Sequence, residues 1–460
     1  MRWAGGVAVQ SMWVGVVNTV LQRTRRSASL RQSRRFGRDG LLAVRVTRAH
    51  FLVVFLLTML LTTPITAQPT DDDNDPLAGG RLVVVWQQNG ELGAWDSDTD
   101  TVRVLLDSES SGLTLSPDGT QVAYTRWDGE QDTLWAIATD GETPPQQIAD
   151  GLLVGWRGWV DANTLYYGTL DVSNLGARPG GELFRAELAA GTVTSITMPG
   201  DLDSAQPTLS PDGTRLLLID PGIYQGREGT IYATSAVDPG AWETVFTFPA
   251  AASGSHTPHF PHVHWLDADT IQVLIHDADA LYNAFAPEAA PAVVWQITLS
   301  DDTEPQIIAE IDAVFNGRVR WSLDSGTLQY VQRGVPPSND KGHTVAPAVL
   351  VDLQTGETTP LGEAVIAPIW WLSDGTLLAG TVAADALIYT RIDPATNERV
   401  EWGRFPHNEI PGALLVRSGP VILSGYQGQL SINTVDGFAP QPITQFEPMV
   451  GNFTAVFIPR

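Results

Sequence analysis

The chain has 460 residues, of which 43% are hydrophobic and 17% charged, and its formal net charge is −25 at pH 7. Because it contains no cysteine, disulfides, Cys-based zinc sites and a thiol nucleophile are excluded. The excess of acidic groups repels nucleic acid, so we predict no nucleic-acid partner.

The N-terminal region differs from the rest of the chain in charge. Residues 1–67 contain ten arginines and one acid, a net charge of +9, which leaves −34 on the remaining residues. An apolar run, FLVVFLLTMLL (51–61), follows the arginines, and a small residue ends the region at Ala67. This order is typical of a secretory signal. We predict a basic N-terminal region with a signal peptide over residues 1–67.

An uncleaved membrane anchor is the alternative for this region. The apolar run is shorter than the roughly 20 residues that a membrane-spanning helix needs, so any membrane tether is confined to residues 49–67. Residues 68–80, QPTDDDNDPLAGG, read as an acidic linker. The protein is therefore expected to be exported to the periplasm or the extracellular space, or, in the alternative, anchored and facing outside.

A repeated motif organises residues 81–460. TLSPDGTQVAY (114–124) recurs as TLSPDGTRLLL (208–218). Proline fixes φ, aspartate supplies an acceptor and glycine tolerates positive φ, so each motif predicts a tight hairpin turn followed by an apolar strand. Four degenerate copies follow the same plan: WVDANTLYYGT (159–169), WLDADTIQVLI (265–275), WSLDSGTLQYV (321–331) and WLSDGTLLAGT (371–381).

Each hairpin is followed by two further short strands, and units of four antiparallel strands recurring about every 40–55 residues predict propeller blades. Units begin near residues 112, 151, 201, 251, 312, 362 and 406. An eighth unit, 81–108, lacks a first strand, which the C-terminal residues 452–460 can supply. We predict an all-β β-propeller of eight blades, with seven as the alternative, closed by the C-terminal strand.

The LSPDGT motif followed by an apolar strand resembles the TolB-like β-propeller repeat, which occurs in many exported bacterial proteins. The two good copies and four looser ones extend the resemblance over most of residues 80–460. The resemblance implies the fold and says little about function, because propellers host many unrelated roles.

Four of the eight histidines lie in one segment, SHTPHFPHVHW (255–265). They are His256, His259, His262 and His264. In the repeat alignment, residues 262–265 form the first strand of a blade and the preceding residues its entry loop. Strand alternation places His262 and His264 on the face opposite Trp265. We predict that the segment lies at the mouth of the central channel, on the face where first strands begin, which we call the top face.

Long connections between second and third strands also emerge on the top face. Four successive ones are enlarged: 171–181, 220–229, 276–291 and 333–344. They contain Arg178, Arg227, Arg333 and Lys341, the only lysine of the chain. We predict that these four cations and the four histidines form a ligand-binding rim. The alternative is that insertions accumulate where they do least harm.

The histidines raise the question of a metal. Neutral imidazoles bind zinc, copper, nickel or iron, and His262 and His264, two residues apart on a strand, can reach one ion, with His259 as a third ligand. A divalent transition metal is therefore one candidate, and no other cofactor is expected. A polar rim without metal and ordinary packing are the alternatives.

We predict an exported, non-enzymatic β-propeller that acts as a binding scaffold for an envelope or extracellular protein, a peptide or a polysaccharide. The alternative is a metal-dependent enzyme resembling oligogalacturonate lyases and acting on an anionic sugar. In those lyases the metal ligands come from several blades, whereas these histidines share one segment. No G-x-S-x-G or phosphate-binding glycine motif is present. A structural spacer in the envelope is a further alternative.

Overall fold

The structure of the chain is a computed structural model. It describes residues 77, 79–88, 90–108, 110–127, 131–150, 153–170, 181–200, 202, 205–222, 228–249, 261–275, 291–300, 303–311, 315–322, 324–332, 348–361, 366–383, 385–406, 412–415, 421–426, 429–445 and 453–460. The predicted N-terminal region lies outside these residues. No helix of the part described is long and apolar enough to cross a membrane.

The described residues form eight four-stranded antiparallel sheets arranged as an eight-bladed β-propeller, which confirms the predicted fold class and blade count. Blades 1 to 4 contain β1 (Gly80–Gln88), β2 (Glu91–Asp96) and β3 (Thr101–Asp107); β4 (Ser111–Leu115), β5 (Gln121–Trp127), β6 (Asp132–Ala138) and β7 (Gln146–Ala149); β8 (Leu153–Trp159), β9 (Thr164–Leu170), β10 (Leu183–Glu187) and β11 (Thr192–Ile196); and β12 (Gln206–Leu209), β13 (Arg215–Asp220), β14 (Gly229–Ser235) and β15 (Glu243–Phe248).

The other four blades follow the same order, and the last strand of the chain belongs to blade 1. Blades 5 to 8 contain β16 (His262–Trp265), β17 (Thr270–Ile275), β18 (Ala292–Thr298) and β19 (Gln306–Ile311); β20 (Phe315–Trp321), β21 (Thr327–Gln332), β22 (Ala348–Asp352) and β23 (Thr358–Pro360); β24 (Ile366–Trp371), β25 (Leu377–Val382), β26 (Ala386–Ile392) and β27 (Arg399–Pro406); and β28 (Gly412–Leu415), β29 (Val421–Tyr426), β30 (Gln429–Thr434) and β31 (Gly437–Gln445). Blade 1 is completed by β32 (Phe453–Pro459).

The core lies between neighbouring blades. Second strands are apolar on both faces, because each face packs against another blade. Between blades 4 and 5, for example, Leu217 and Ile219 of β13 form one cluster with Ile271 and Val273 of β17. All four side chains are at most 2% exposed. Burying one such side chain contributes about 1.5–3 kcal/mol, so the inter-blade clusters supply much of the free energy of folding.

The repeated turn is built by one set of hydrogen bonds. In blade 2 the Ser116 hydroxyl donates to Asp118 (2.7 Å) and accepts from the Gln121 backbone N–H (2.9 Å). The Asp118 carboxylate also accepts from the Thr120 N–H at 3.1 Å. Gly119 adopts φ +70°, which a residue without Cβ tolerates. Blade 4 repeats this turn with Ser210 and Asp212, and blade 6 with Ser322 and Asp324.

The C-terminal strand completes blade 1, as predicted. It pairs antiparallel with β1, with Phe457 opposite Leu82. Phe457 is 5% exposed, and a Cβ added at Gly80 would lie 2.5 Å from its ring, so glycine is needed there. The two ends of the propeller thus share one sheet, and this pairing joins the last blade to the first.

The outer strands carry a recurrent irregularity that the sequence pattern does not show. In six blades the third and fourth strands lose register by one residue, so the outer strand has a β-bulge. A bulge bends and twists an edge strand away from further pairing. At the one-residue shift shared by these six blades the residue left out of the pairing is apolar: Leu105, Ile148, Val245, Ile308, Trp402 and Ile443. Blade 8 has a second irregularity between Ile432 and Thr434. Only blades 3 and 6 have outer strands in unbroken register.

Ring closure gives the first testable prediction. Phe457→Ala should lower the free energy of unfolding by about 3 kcal/mol, because it leaves a cavity within the closing blade. Arg460→Ala is the control, since the ion pair between Arg460 and Asp98 is largely exposed and should contribute less than about 1 kcal/mol. Urea unfolding measures both. Equal effects of the two variants would show that closure does not depend on packing of this strand.

The turn carboxylates give a second prediction. Hydrogen bonds from Ser322 and from the Gly326 N–H lower the pKa of Asp324. For Asp118 and Asp212, burial raises the pKa, but hydrogen bonds from the turn outweigh it and the net shift is downward. A lowered folded-state pKa contributes stability that is present above the unfolded value of about 3.9 and is lost as the pH falls through the folded value.

The triple variant D118N/D212N/D324N should therefore lose less stability than the wild type between pH 5 and about 2, as measured by urea unfolding across that range. The matched control is E142Q/E243Q/E357Q, which removes three exposed carboxylates outside these turns. Parallel pH profiles for wild type and D118N/D212N/D324N would contradict the assignment.

Candidate functional site

The structure describes two of the eight predicted site residues, His262 and His264. The other six lie outside the described residues: Arg178, Arg227, His256, His259, Arg333 and Lys341. Their role in a rim therefore stays a prediction. Both described histidines lie on β16, the first strand of blade 5, as the repeat alignment predicts.

The side chains of β16 alternate between two neighbouring blades. Trp265 is 5% exposed and packs towards blade 4, where its Nε1 donates to Thr208 Oγ1 at 3.3 Å. His264 faces blade 6: its Nε2 lies 2.9 Å from Ser325 Oγ, and its ring stacks on Trp321 with centroids 5.1 Å apart. The predicted alternation between His264 and Trp265 is confirmed.

His264 occupies a position that other blades use for blade-to-blade contact. In blade 2 the same position is Thr114, whose backbone oxygen accepts from Trp159 Nε1 at 3.2 Å. In blade 4 it is Thr208, the partner of Trp265. The tryptophan that follows His264 around the ring is Trp321, whose Nε1 is buried without a hydrogen-bond partner in the part of the chain described. Stacking on the imidazole replaces the indole hydrogen bond at this interface.

The partner of His264 belongs to an altered copy of the repeated turn. Ser325 stands where Gly119 stands in blade 2, and it adopts φ +62°, a conformation that costs a non-glycine residue free energy. Its hydroxyl meets His264, and its carbonyl accepts from Gln272 Nε2 at 3.4 Å. Glycine has no side chain to make the first contact, so serine at this position joins blades 5 and 6.

His262 lies at the other end of the same strand. It pairs with Leu274, two residues before His264, and its side chain is half-buried. It therefore lies nearer the entry loop, whereas His264 lies against the first-to-second-strand turn of blade 6. Within the described residues no three His, Asp or Glu side chains are grouped to hold a metal ion. The predicted third ligand, His259, lies outside them.

The strand bounds show that the top face is asymmetric. The segments joining second to third strands are 171–182, 221–228, 276–291 and 333–347 in blades 3 to 6. In blades 1 and 8 they are the two-residue segments 89–90 and 427–428. The four long connections predicted from the sequence therefore emerge from four consecutive blades. The strand ends that they join are on the face where β16 begins, because second strands run antiparallel to first strands.

Two buried charged residues near the top face were not singled out from the sequence. Arg157, on the first strand of blade 3, is 7% exposed and donates to the Gly112 carbonyl of blade 2. Burial lowers its pKa to about 10, and the charge of Asp132 opposes this effect. Asp220, which ends β13, is fully buried and accepts from the Gly222 N–H at 3.0 Å. Arg157 could have been recognised in the sequence as a buried charge, because it is the one charged residue of an otherwise apolar strand.

Comparison with known proteins supports the fold alone. No family model and no curated protein matches the chain. Solved structures that are similar include dipeptidyl peptidase 4 of Porphyromonas gingivalis (TM-score 0.50, 10% identity, 81% of this chain and 60% of that one). TolB of Acinetobacter baumannii matches with TM-score 0.32 and 12% identity over 82% and 74% of the two chains. An oligogalacturonate lyase in complex with manganese matches with TM-score 0.45 and 13% identity over 75% and 94%.

The chain also matches the tricorn protease, which is a larger protein. It spans 39% of the length of that protease. The matching chains also include a prolyl endopeptidase. At such low sequence identity the similarity concerns the β-propeller fold alone, and a fold does not by itself imply a function.

The blade 5–blade 6 contact generates a third prediction. His264→Ala should lower the free energy of unfolding by about 1–3 kcal/mol, because it removes the stacking on Trp321 and the hydrogen bond to Ser325. His264→Thr should recover part of this loss, since threonine offers the Trp321 indole a hydroxyl acceptor, as Thr208 does for Trp265. Urea unfolding compares the two. If His264→Thr is as unstable as His264→Ala, the proposed equivalence of the two interfaces is wrong.

Proposed function

We propose that this protein is an exported, non-enzymatic β-propeller that binds a partner through the top face of blades 3 to 6. The observation that carries the proposal is the asymmetry of that face: four consecutive blades have long second-to-third-strand connections, and blades 1 and 8 have two-residue ones. Loops on a rigid scaffold are the common location of binding residues. Insertions without a role would have no reason to be confined to adjacent blades.

The same connections contain some of the chain's few cations. The chain after residue 67 carries a net charge of −34, and four of its cations, Arg178, Arg227, Arg333 and Lys341, lie in these connections. The four segments also contain seven acidic residues, so their net charge is −3, and an anionic group would be bound by an individual cation and not by a positive field. A segment of an envelope protein, a peptide or a polysaccharide that carries such groups fits this chemistry.

His256, His259 and His262 extend the proposed rim into the entry loop and first strand of blade 5. His264 contributes differently, because its imidazole already stacks on Trp321 and contacts Ser325. We therefore assign it the role of holding blade 5 against blade 6 beneath the rim. A transition metal bound by His259 and His262 would need a third ligand from the neighbouring connections, since His264 Nε2 is engaged.

The test uses residues 68–460 immobilised on a surface and exposed to membrane-envelope extract of the native host. The variant R333A/K341A should reduce the retained partner at least tenfold, because truncating the hot-spot residues of an interface, among which arginine is enriched, costs about 2 kcal/mol or more. The matched control is R103A/R404A, which removes two positive charges from the outer strands of blades 1 and 7. Retention of the same partner by both variants would overturn the proposal.

A second measurement addresses the enzymatic alternative. Polygalacturonate fragments are incubated with the protein and with Mn²⁺, and the unsaturated product is followed by absorbance. We expect no turnover. Turnover that is abolished by His262→Ala but retained by R103A would overturn the non-enzymatic assignment and favour a metal-dependent lyase.

A further inference from the structure

The outer strand of each blade is a free sheet edge, and such edges pair with other chains unless something blocks them. Six of the eight outer strands contain a β-bulge. The outer strand of blade 6, β23, is three residues long and ends in Pro360, which cannot donate to a ladder. Seven blades thus carry a device that opposes further pairing.

Blade 3 is the exception. Its outer strand, β11, pairs with β10 in unbroken register from Leu183↔Ile196 to Glu187↔Thr192. Its sequence, TVTSI, has no charge and no proline, and four of its five residues are β-branched, the type enriched in strands. Residues 192–195 are all exposed, with Val193 at 43%. No bulge, proline or charge protects this edge.

The surroundings of β11 define where the open edge ends. Trp242 of blade 4 donates its Nε1 to the Thr197 carbonyl at 2.8 Å, and Ile196 is 6% exposed. Both groups are therefore engaged by the neighbouring blade. The four residues before them, 192–195, remain as a regular, polar edge long enough for a short strand to pair with.

We propose that the edge formed by residues 192–195 binds an extended segment of a partner protein by β-strand addition, and that this segment is basic. Main-chain hydrogen bonds would supply affinity, and the alternating side chains of the segment its specificity. The site is the outer edge of blade 3, and it does not depend on the proposed function of the top face.

Charge selects the basic segment over a second copy of this chain. Two copies would each bring a net charge of −34 beyond residue 67, which opposes edge-to-edge pairing between them. Next to the edge, Arg185 and Glu187 of β10 form an ion pair at 2.5 Å and offset one another. The long-range field therefore comes from the acidic body, and it attracts lysine- or arginine-flanked strands.

The probe is the synthetic peptide Lys-Lys-Thr-Val-Thr-Val-Thr-Lys-Lys carrying a fluorophore, titrated with residues 68–460 and followed by anisotropy. Binding is expected for this peptide, and at least tenfold weaker binding for a version N-methylated at alternate residues, which cannot form a ladder. A version flanked by glutamates should also bind at least tenfold more weakly. Equal binding of the N-methylated peptide would overturn the proposal, because it would show that only charge is recognised.

Matched protein variants locate the edge. Val193→Lys places a charge on β11 and should weaken binding at least tenfold, while Ile307→Lys makes the same change on the bulged outer strand β19, where Ile307 is 51% exposed, and should leave binding unchanged. Both variants should melt within a few degrees of the wild type, since both residues are exposed. The top-face variant R333A/K341A should bind the peptide normally.

Three further outcomes contradict the proposal. They are absence of binding, equal weakening by Val193→Lys and Ile307→Lys, and a concentration-dependent dimer in analytical ultracentrifugation that Val193→Lys abolishes. The last result would show that the edge pairs with a second copy instead of a basic partner.

Discussion

Pairing of the C-terminal strand with β1 is the constraint on which the rest of the molecule depends. The first blade has three strands of its own, and β32 supplies the fourth from the far end of the chain. Closure gives every blade a neighbour on both faces, so second strands such as β13 can be apolar on both sides. Each sheet still ends in an outer strand that no other strand covers, and six of these outer strands carry a bulge that opposes further pairing.

Blade-to-blade contact is made by a small set of equivalent positions, and variation at these positions is coupled. The tryptophan before the turn meets the first strand of the preceding blade, where Thr114 or Thr208 accepts its indole N–H. At the blade 5–blade 6 interface His264 replaces the threonine, and Ser325 replaces the glycine of the facing turn. The two changes meet in one contact of 2.9 Å. The departure of His264 from the repeat is therefore explained by the residue that it contacts in the adjacent blade.

The fold could be predicted from the sequence because its signals are local and repeated. Each turn requires particular residues, and the apolar alternation that follows defines strand direction and face. Counting units predicted eight blades, and the unit without a first strand predicted closure by the last one; both are confirmed. The opposite orientation of His264 and Trp265 followed from strand alternation alone.

The partners of individual side chains could not be predicted in the same way. The contacts of His264 depend on Ser325, 61 residues later, and on stacking against Trp321, which no local pattern contains. The bulges could not be predicted from the sequence either. Val245 and Ile308 have the residue type of ordinary apolar strand positions, and only the strand register shows that they are unpaired. Without those registers, β11 has the same appearance as any other outer strand.

Repetition therefore makes departures from the repeat informative about function. A propeller fold is shared by proteins with unrelated activities, so the features common to all eight blades describe stability and not purpose. What distinguishes this chain is where the blades differ: long connections on blades 3 to 6, and an unprotected outer strand on blade 3. Because these departures lie at different places on the ring, the proposed top-face partner and the proposed edge partner would not compete for one surface. Blade 3 carries both features, and it is the blade at which two such partners would come closest.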